Sequence, residues 1–152
     1  MKGKPTIIKS FAYAFSGVVY CIRTERNFRI HMAAAVTSAI LAYFYKISSD
    51  QISLLLFTIV FVFVTEMVNT AVEKVVDICS PDYSRAAKIA KDVAAGAVLV
   101  AAVCAVGVAV LLFWDATKLA LLWNELVARW WHVAVAVVYV VLVILFIGKR
   151  KK

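Results

Sequence analysis

Four polar side chains recur at helical spacing at the end of a long apolar segment. Glu66, Asn69, Glu73 and Asp77 follow one another at steps of three, four and four residues, so they share one stripe of an α-helix. The preceding stretch, 52–65, has no charged residue. A carboxylate at membrane depth is costly and by default marks a functional site. It can act as a general base towards a hydroxyl, while carboxylates nearer the headgroups can hold Mg²⁺ together with phosphate oxygens.

The elements that position this stripe are predicted by composition. Of the 152 residues, 64% are hydrophobic, and the mean hydropathy is +0.91. At 1.5 Å per residue, the four longest apolar runs extend roughly 24, 32, 33 and 27 Å, close to the hydrocarbon thickness of a bilayer. They are residues 30–45, 52–72, 93–114 and 130–147. We therefore expect four membrane-spanning helices, preceded by an amphipathic helix that lies in the membrane interface.

The net charge of +8 is unevenly distributed over the predicted connections. Fourteen Lys and Arg residues lie in the N-terminal arm, the connection between the second and third spans, and the C-terminal tail, whereas the other two connections hold three. By the positive-inside rule, this asymmetry predicts four spans with both termini in the cytoplasm. The basic residues then meet anionic headgroups, and since the sequence has no RNA-binding motif we expect no nucleic-acid partner.

Two further charged clusters, 24–29 and 88–92, adjoin the same predicted interface. With the stripe they supply carboxylates for a divalent metal and cations for phosphate, which are the requirements of phosphoryl transfer. The sequence has no glycine-rich phosphate loop, so an ATP site must be built from side chains on the membrane helices. Between the second and third spans, Ser80 and Pro81 predict a helix stop and a new helix N-terminus.

At three segments the sequence resembles the small integral-membrane prokaryotic lipid kinases, the diacylglycerol kinase and undecaprenol kinase family. The segments occur in order and with the family's spacing, and the resemblance covers roughly residues 7–113. They are Thr24-Glu25-Arg26-Asn27-Phe28-Arg29-Ile30-His31, Glu66-x-x-Asn69-Thr70-Ala71-Val72-Glu73-x-x-x-Asp77 and Ala87-Lys88-Ile89-Ala90-Lys91-Asp92-Val93-Ala94-Ala95-Gly96-Ala97-Val98. The resemblance implies a homotrimer of subunits with a surface helix and three spans, in a bacterial cell membrane, with active sites shared between subunits on the cytoplasmic side.

The resemblance also implies a role for each matched residue. Glu66 would take the proton from the lipid hydroxyl, and Asn69 would position the site. Glu25 and Glu73 match ligands of the metal and the ATP phosphates. The other implied contacts are Tyr13, Asp77, Lys91 and Asp92 with the nucleotide, and Lys9 and Arg29 with the phosphate and the lipid headgroup. Ser84 stands where many relatives have His.

The sequence divides near residue 114. Residues 1–114 are predicted to form the lipid kinase domain, and residues 115–152 a C-terminal extension with an interfacial segment, the fourth span and a basic tail. Relatives commonly end soon after the third span, and the extension has no obvious catalytic residue. We expect it to pack around the trimer, to set the topology or to shield the lipid entrance.

The sequence thus predicts an all-α membrane protein that uses Mg²⁺ and ATP to phosphorylate a membrane lipid alcohol. Undecaprenol is favoured because 24–31 and 80–98 look more like that branch of the family, and diacylglycerol is the alternative.

Two hypotheses from other classes remain: a small channel or proton-linked transporter with Glu66 as a relay, and an inactive membrane scaffold. A relay needs Glu66 alone. A kinase needs Glu25, Lys91 and Asp92 to converge on Glu73. His31, taken singly, is interpreted as an interfacial or packing residue and not as a metal ligand.

Overall fold

The computed structural model describes residues 6–149, and this part of the chain is almost entirely helical. Residues 1–5 and 150–152, which include most of the predicted basic tail, lie outside the described residues. Within the described range there are six helices and no strand: α1 (Ile7–Thr24), α2 (Arg26–Tyr45), α3 (Ser49–Cys79), α4 (Arg85–Phe113), α5 (Ala116–Ala128) and α6 (Trp130–Gly148). By length and composition α2, α3, α4 and α6 could each cross a membrane. The predicted all-α fold with a fourth C-terminal span is confirmed.

The connection between α2 and α3 is a short turn held by a reciprocal cap. Lys46 ends α2 in the left-handed conformation, with φ of 48°. Ser48 then caps α3: its Oγ accepts a hydrogen bond from the Gln51 backbone N–H, and its own backbone N–H donates to Gln51 Oε1. This capping box satisfies two N–H groups that have no partner inside the helix. The chain therefore reverses within a few residues, and α2 and α3 run antiparallel.

The connection between α3 and α4 differs from the sequence-based expectation. Ser80 does not begin a new helix: its backbone N–H still donates to Val76, and its hydroxyl donates to the Asp82 carbonyl oxygen. The N-cap of α4 is Ser84, whose Oγ accepts from the Ala87 N–H at 3.5 Å. The prediction of an N-terminus at Ser80 and Pro81 is therefore wrong, because Ser80 completes the last turn of α3 instead of capping α4.

The most extensive helix contact is the antiparallel pair α3 and α4. Leu55 and Val62 are buried on α3, and Val98 and Ala101 on α4. Ala101 is only 1% exposed, and a small side chain at such a point lets two membrane helices approach closely. Helix α2 packs against this pair, and its Phe28 ring lies 5.2 Å from the ring of Phe63 on α3. These contacts fix the three helices that carry most of the predicted site residues.

The extension folds back onto the first span. Asp115 caps α5 by accepting hydrogen bonds from the N–H groups of Thr117 and Lys118. Helix α6 then contacts α5 and runs along α2. Its partly covered positions lie on one side of the helix: 132, 136, 139, 143, 146 and 147. Most other large apolar side chains of α6 are exposed, which suits contact with lipid.

Candidate functional site

A cleft of about 360 Å³ opens between α2, α3 and α4. Helix α3 contributes three residues of the polar stripe, Glu66, Asn69 and Glu73. Helix α4 forms an apolar wall of small and medium side chains opposite them. The wall residues are Ala95, Val98, Leu99 and Ala102. The cleft therefore joins a polar corner to a surface that an acyl or isoprenoid chain could contact.

The polar corner contains two buried oxygen atoms that accept no hydrogen bond from the part of the chain that the structure describes. Glu66 is 2% exposed and Asn69 is 8% exposed. The Asn69 Nδ2 donates to Glu73 Oε1 at 3.2 Å. Glu66 Oε2 and Asn69 Oδ1, in contrast, have no hydrogen-bond partner among residues 6–149. Buried polar atoms are usually paired, so two such atoms in one cleft indicate a place where a ligand supplies the missing donors.

Helix α2 supplies the third side of the cleft through Asn27, Ile30 and His31. From the sequence alone, His31 is expected to be a packing or interfacial residue, and Asn27 is not singled out. The structure places both beside the stripe. Their spacing of four residues puts them on one helix face, and this was the signal in the sequence that could have identified them.

Glu25 lies at the corner between α1 and α2, as the only residue between the two helices. Its Oε1 accepts a hydrogen bond from Thr24 Oγ1 at 3.1 Å. The carboxylates of Glu25 and Glu73 are close enough to repel the negative charge of Glu66. Glu25 at the helix corner and Glu73 in the cleft thus both add negative charge near Glu66.

Glu25 and Glu73 are the residues that would hold a magnesium ion together with a phosphate. Within residues 6–149, no group of three or more His, Cys, Asp and Glu side chains is arranged to hold a metal ion. Mg²⁺, however, is usually bound by one or two carboxylates, with substrate phosphate oxygens and water completing its coordination. Glu25 and Glu73 supply donors of that kind, whereas a metal held by protein ligands alone does not fit.

A second, more open cleft of about 590 Å³ lies at the connection between α3 and α4. Four of its charged lining residues are Asp77, Lys88, Lys91 and Asp92. Lys91 Nζ pairs with Asp77 Oδ1 while both side chains remain substantially exposed. Lysine ammonium groups in an open cleft are suited to bind phosphate. Since Asp77 follows Glu73 by one turn, the stripe leads from the first cleft to the second.

Four predicted site residues line neither cleft: Lys9, Tyr13, Glu25 and Arg29. Lys9 and Tyr13 lie on an exposed part of α1, where Tyr13 is 66% exposed. Arg29 is buried, and its guanidinium donates to backbone carbonyl groups of α1 and α6. In the single chain the structure therefore groups Glu66, Asn69 and Glu73 in one cleft, with Glu25 beside them. It groups Asp77, Lys91 and Asp92 in the other.

Comparison with known proteins assigns this arrangement to a family. The family described as prokaryotic diacylglycerol kinase matches residues 12–113. A diacylglycerol kinase of Synechocystis sp. is 44% identical over 103 residues, which cover 67% of this chain and 59% of that protein. The undecaprenol kinase of Bacillus subtilis is 39% identical over 105 residues, covering 69% and 85%. The diacylglycerol kinase of Escherichia coli K12 is 30% identical over 113 residues, covering 74% and 93%. The chain belongs to the prokaryotic diacylglycerol kinase family of membrane lipid kinases.

Proposed function

We propose that the protein transfers the γ-phosphate of ATP, with Mg²⁺, to the hydroxyl of a membrane lipid alcohol, and that undecaprenol is the preferred alcohol. The observation that carries this proposal is the buried Glu66 Oε2, which has no hydrogen-bond partner among residues 6–149 and lies in a cleft with an apolar wall. A carboxylate oxygen that accepts nothing from the protein is available to accept a hydrogen bond from a substrate hydroxyl. A lipid alcohol presents that hydroxyl next to an apolar chain.

Glu66 acts as the general base in this reaction. It accepts the hydroxyl proton as the lipid oxygen attacks the γ-phosphorus, the new P–O bond forms, and the bond to the bridging oxygen of the ADP leaving group breaks. Asn69 orients Glu73 through its amide hydrogen bond, and its Oδ1 accepts from the substrate. Burial keeps water away from Glu66, which limits hydrolysis of ATP as a side reaction.

The nucleotide lies between the two clefts. Lys91 and Asp92 contact it from α4, and Asp77 contacts it from the end of α3. Glu25 and Glu73 would hold the metal ion, which would supply positive charge to neutralise the phosphates. The open second cleft with its two lysines supports this placement, because a phosphate chain needs cationic groups accessible from the solvent.

The remaining contacts come from a neighbouring subunit. We propose the homotrimer that the family resemblance implies, with the clefts completed by a neighbour's α1, which carries Lys9 and Tyr13. Most of α1 is exposed in the single chain, so this helix has surface available for such a contact. The clefts face the cytoplasm of a bacterial cell, in keeping with the distribution of basic residues, and both termini lie on that side.

Undecaprenol is preferred over diacylglycerol because of what surrounds the cleft. Diacylglycerol carries two polar ester groups beside its hydroxyl, whereas undecaprenol carries one hydroxyl on a hydrocarbon chain. The α4 wall is apolar, and Arg29, which the family resemblance implies as a headgroup contact, is buried against backbone carbonyl groups. The names of the relatives do not decide the substrate, because both alcohols occur among them.

A competition assay tests this proposal. The purified full chain in detergent micelles would receive labelled ATP, Mg²⁺ and equal amounts of undecaprenol and diacylglycerol. We expect phosphorylated undecaprenol as the major product and no transfer without Mg²⁺. An excess of phosphorylated diacylglycerol would overturn the substrate preference. If neither lipid were phosphorylated, the kinase proposal itself would fail.

A further inference from the structure

Arg29 joins the ends of two helices that are far apart in the sequence. Its Nη1 donates to the carbonyl oxygens of Ile22 and Arg23 at the end of α1, at 3.3 and 3.4 Å. Its Nε and Nη2 donate to the carbonyl oxygen of Ile147 near the end of α6, at 3.4 and 3.3 Å. The last carbonyls of a helix lack partners within the helix and carry partial negative charge. The planar fork of one guanidinium therefore satisfies both helix ends at once.

A second hydrogen bond shows that α6 follows α2 in a regular register. Thr37 Oγ1 and Tyr139 Oη lie 2.7 Å apart. Thr37 is eight residues after Arg29 on α2, and Tyr139 is eight residues before Ile147 on α6. The two contacts therefore belong to one antiparallel seam about 12 Å long. The partly covered positions of α6 lie along the same side of the helix.

The seam ends at the corner that carries Glu25. The Glu25 N–H donates to the Cys21 carbonyl oxygen, and the Glu25 carbonyl oxygen accepts from the Arg29 N–H at 3.3 Å. The Arg29 side chain closes this segment by bonding to the carbonyl groups of Ile22 and Arg23, three and two residues before Glu25. The angle between α1 and α2 determines where the Glu25 side chain points. Groups that hold a ligand-bearing segment in this way control how well it binds a metal.

The buried Arg29 guanidinium donates half of its hydrogen bonds to α6. The side chain is 6% exposed, and within residues 6–149 it forms no salt bridge with a carboxylate. A buried cation is costly unless hydrogen bonds replace its water. The Ile147 carbonyl oxygen supplies two of its four hydrogen bonds, and this carbonyl lies outside the family match at 12–113. The extension thus contributes directly to the corner next to the cleft.

We propose that the fourth span is a positioning element of the active site. Held by Arg29, the end of α6 fixes the corner between α1 and α2 and thereby the direction of Glu25. Arg29 is then a positioning residue and not a contact of the lipid headgroup. This inference rests on the proposed function, because the direction of Glu25 matters to activity only if the protein binds ATP with Mg²⁺.

A cross-linking experiment tests the seam without any activity measurement. Cysteines would replace Thr37 and Tyr139 in a full chain whose native cysteines are alanine, and the membranes would be treated with a short bifunctional thiol reagent. We expect a cross-link within one chain, and a several-fold lower yield when Arg29→Gln is added. Cysteines at Thr37 and at the exposed Val138 serve as the matched control and should not cross-link. Equal yields for the two pairs, or cross-linked dimers alone, would overturn the proposal.

Kinetics test the positioning role. We expect Arg29→Gln to raise the KM for ATP with Mg²⁺ about tenfold, with the KM for the lipid unchanged. Arg29→Lys retains the charge but cannot bridge both helix ends, so it should show a smaller rise of the same kind even if Arg29→Gln folds poorly. A rise confined to the lipid KM would show a headgroup contact and overturn the proposal. An inactive wild-type chain would contradict the proposed function, and the cross-link would still decide whether the seam exists.

Discussion

Asn69 and Glu73 are joined by a hydrogen bond across one turn of α3, in which Asn69 Nδ2 donates to Glu73 Oε1 at 3.2 Å. The same amide leaves its Oδ1 buried and without a partner among residues 6–149. One side chain thus orients a carboxylate and offers an acceptor to the cleft. This pairing connects the buried end of the stripe, where the lipid hydroxyl is proposed to react, with the end that is proposed to hold the metal.

Replacing Asn69 by Leu should raise the Mg²⁺ concentration needed for activity and leave the melting temperature nearly unchanged. The substitution removes the bond that orients Glu73, so the Mg²⁺ concentration needed for half-maximal activity should rise about tenfold. Thermal stability should change little, because the substitution also removes a buried atom without a partner. A Mg²⁺ titration and a melting curve check both points. Asn124→Leu on the exposed α5 is the control. An unchanged Mg²⁺ requirement with a lower melting temperature would mean that Asn69 only packs helices.

Replacing Lys91 by Met should raise the KM for ATP about tenfold, since a charge-assisted hydrogen bond to phosphate is lost. The pair with Asp77 is exposed, and exposed pairs contribute little to stability, so the melting temperature should stay the same. Arg85→Gln is the control, because Arg85 is also exposed on α4 but does not line the cleft. Activity that does not respond to the loss of Lys91 would favour the relay hypothesis over the kinase.

Filling the first cleft should raise the KM for the lipid and leave the KM for the nucleotide unchanged. Ala102 lies in the apolar wall, and Ala102→Phe should raise the KM for undecaprenol about tenfold while leaving the KM for ATP unchanged. Val103→Phe is the matched control, because Val103 is the next residue on α4 and is 62% exposed. Steady-state kinetics with each substrate varied in turn give both constants. Equal effects of the two substitutions would show that the lipid does not enter this cleft.

Two of the three cysteines report on the exposure and sidedness of the helices. Cys79, at the end of α3, is exposed and should react with a membrane-impermeant maleimide in inverted vesicles but not in right-side-out vesicles. Cys21 is buried on α1, and burial raises the pKa of its thiol. Because the thiolate is the reactive form, Cys21 should label slowly at pH 7 and faster as the pH rises. Single-cysteine variants would be compared by mass spectrometry. Labelling of Cys79 from the outside would reverse the proposed topology.

Much of the local structure was predictable because its causes lie within one turn or one span. The spacing of Glu66, Asn69 and Glu73 places them on one helix face whatever surrounds them, and the structure confirms the helix. The lengths of the apolar runs likewise predict four spans. The start of α4 was predicted wrongly because two serines competed as caps. Ser80 remains bonded to the end of α3, and Ser84 therefore takes that role.

What the sequence did not indicate depends on how separate helices pack. Arg29 bonds to a backbone carbonyl 118 residues away, and a carbonyl group leaves no trace in the residue pattern. Asn27 and His31 face the cleft because α2 turns Phe28 towards α3 and Arg29 towards α6. Periodicity alone assigns such positions to a face but does not say which helix that face meets.

The role of Glu66 is the central claim, and the rate of phosphate transfer by Glu66→Gln tests it most directly. The measurement uses saturating ATP, Mg²⁺ and undecaprenol in micelles, with labelled phosphate in the lipid product as the readout. Glu125→Gln, a neutralised carboxylate on the exposed α5, is the control and should keep the wild-type rate. Glutamine retains the shape of Glu66 but does not accept the proton, so the rate should fall at least about a hundredfold. A Glu66→Gln variant that transfers phosphate at the wild-type rate would contradict the account.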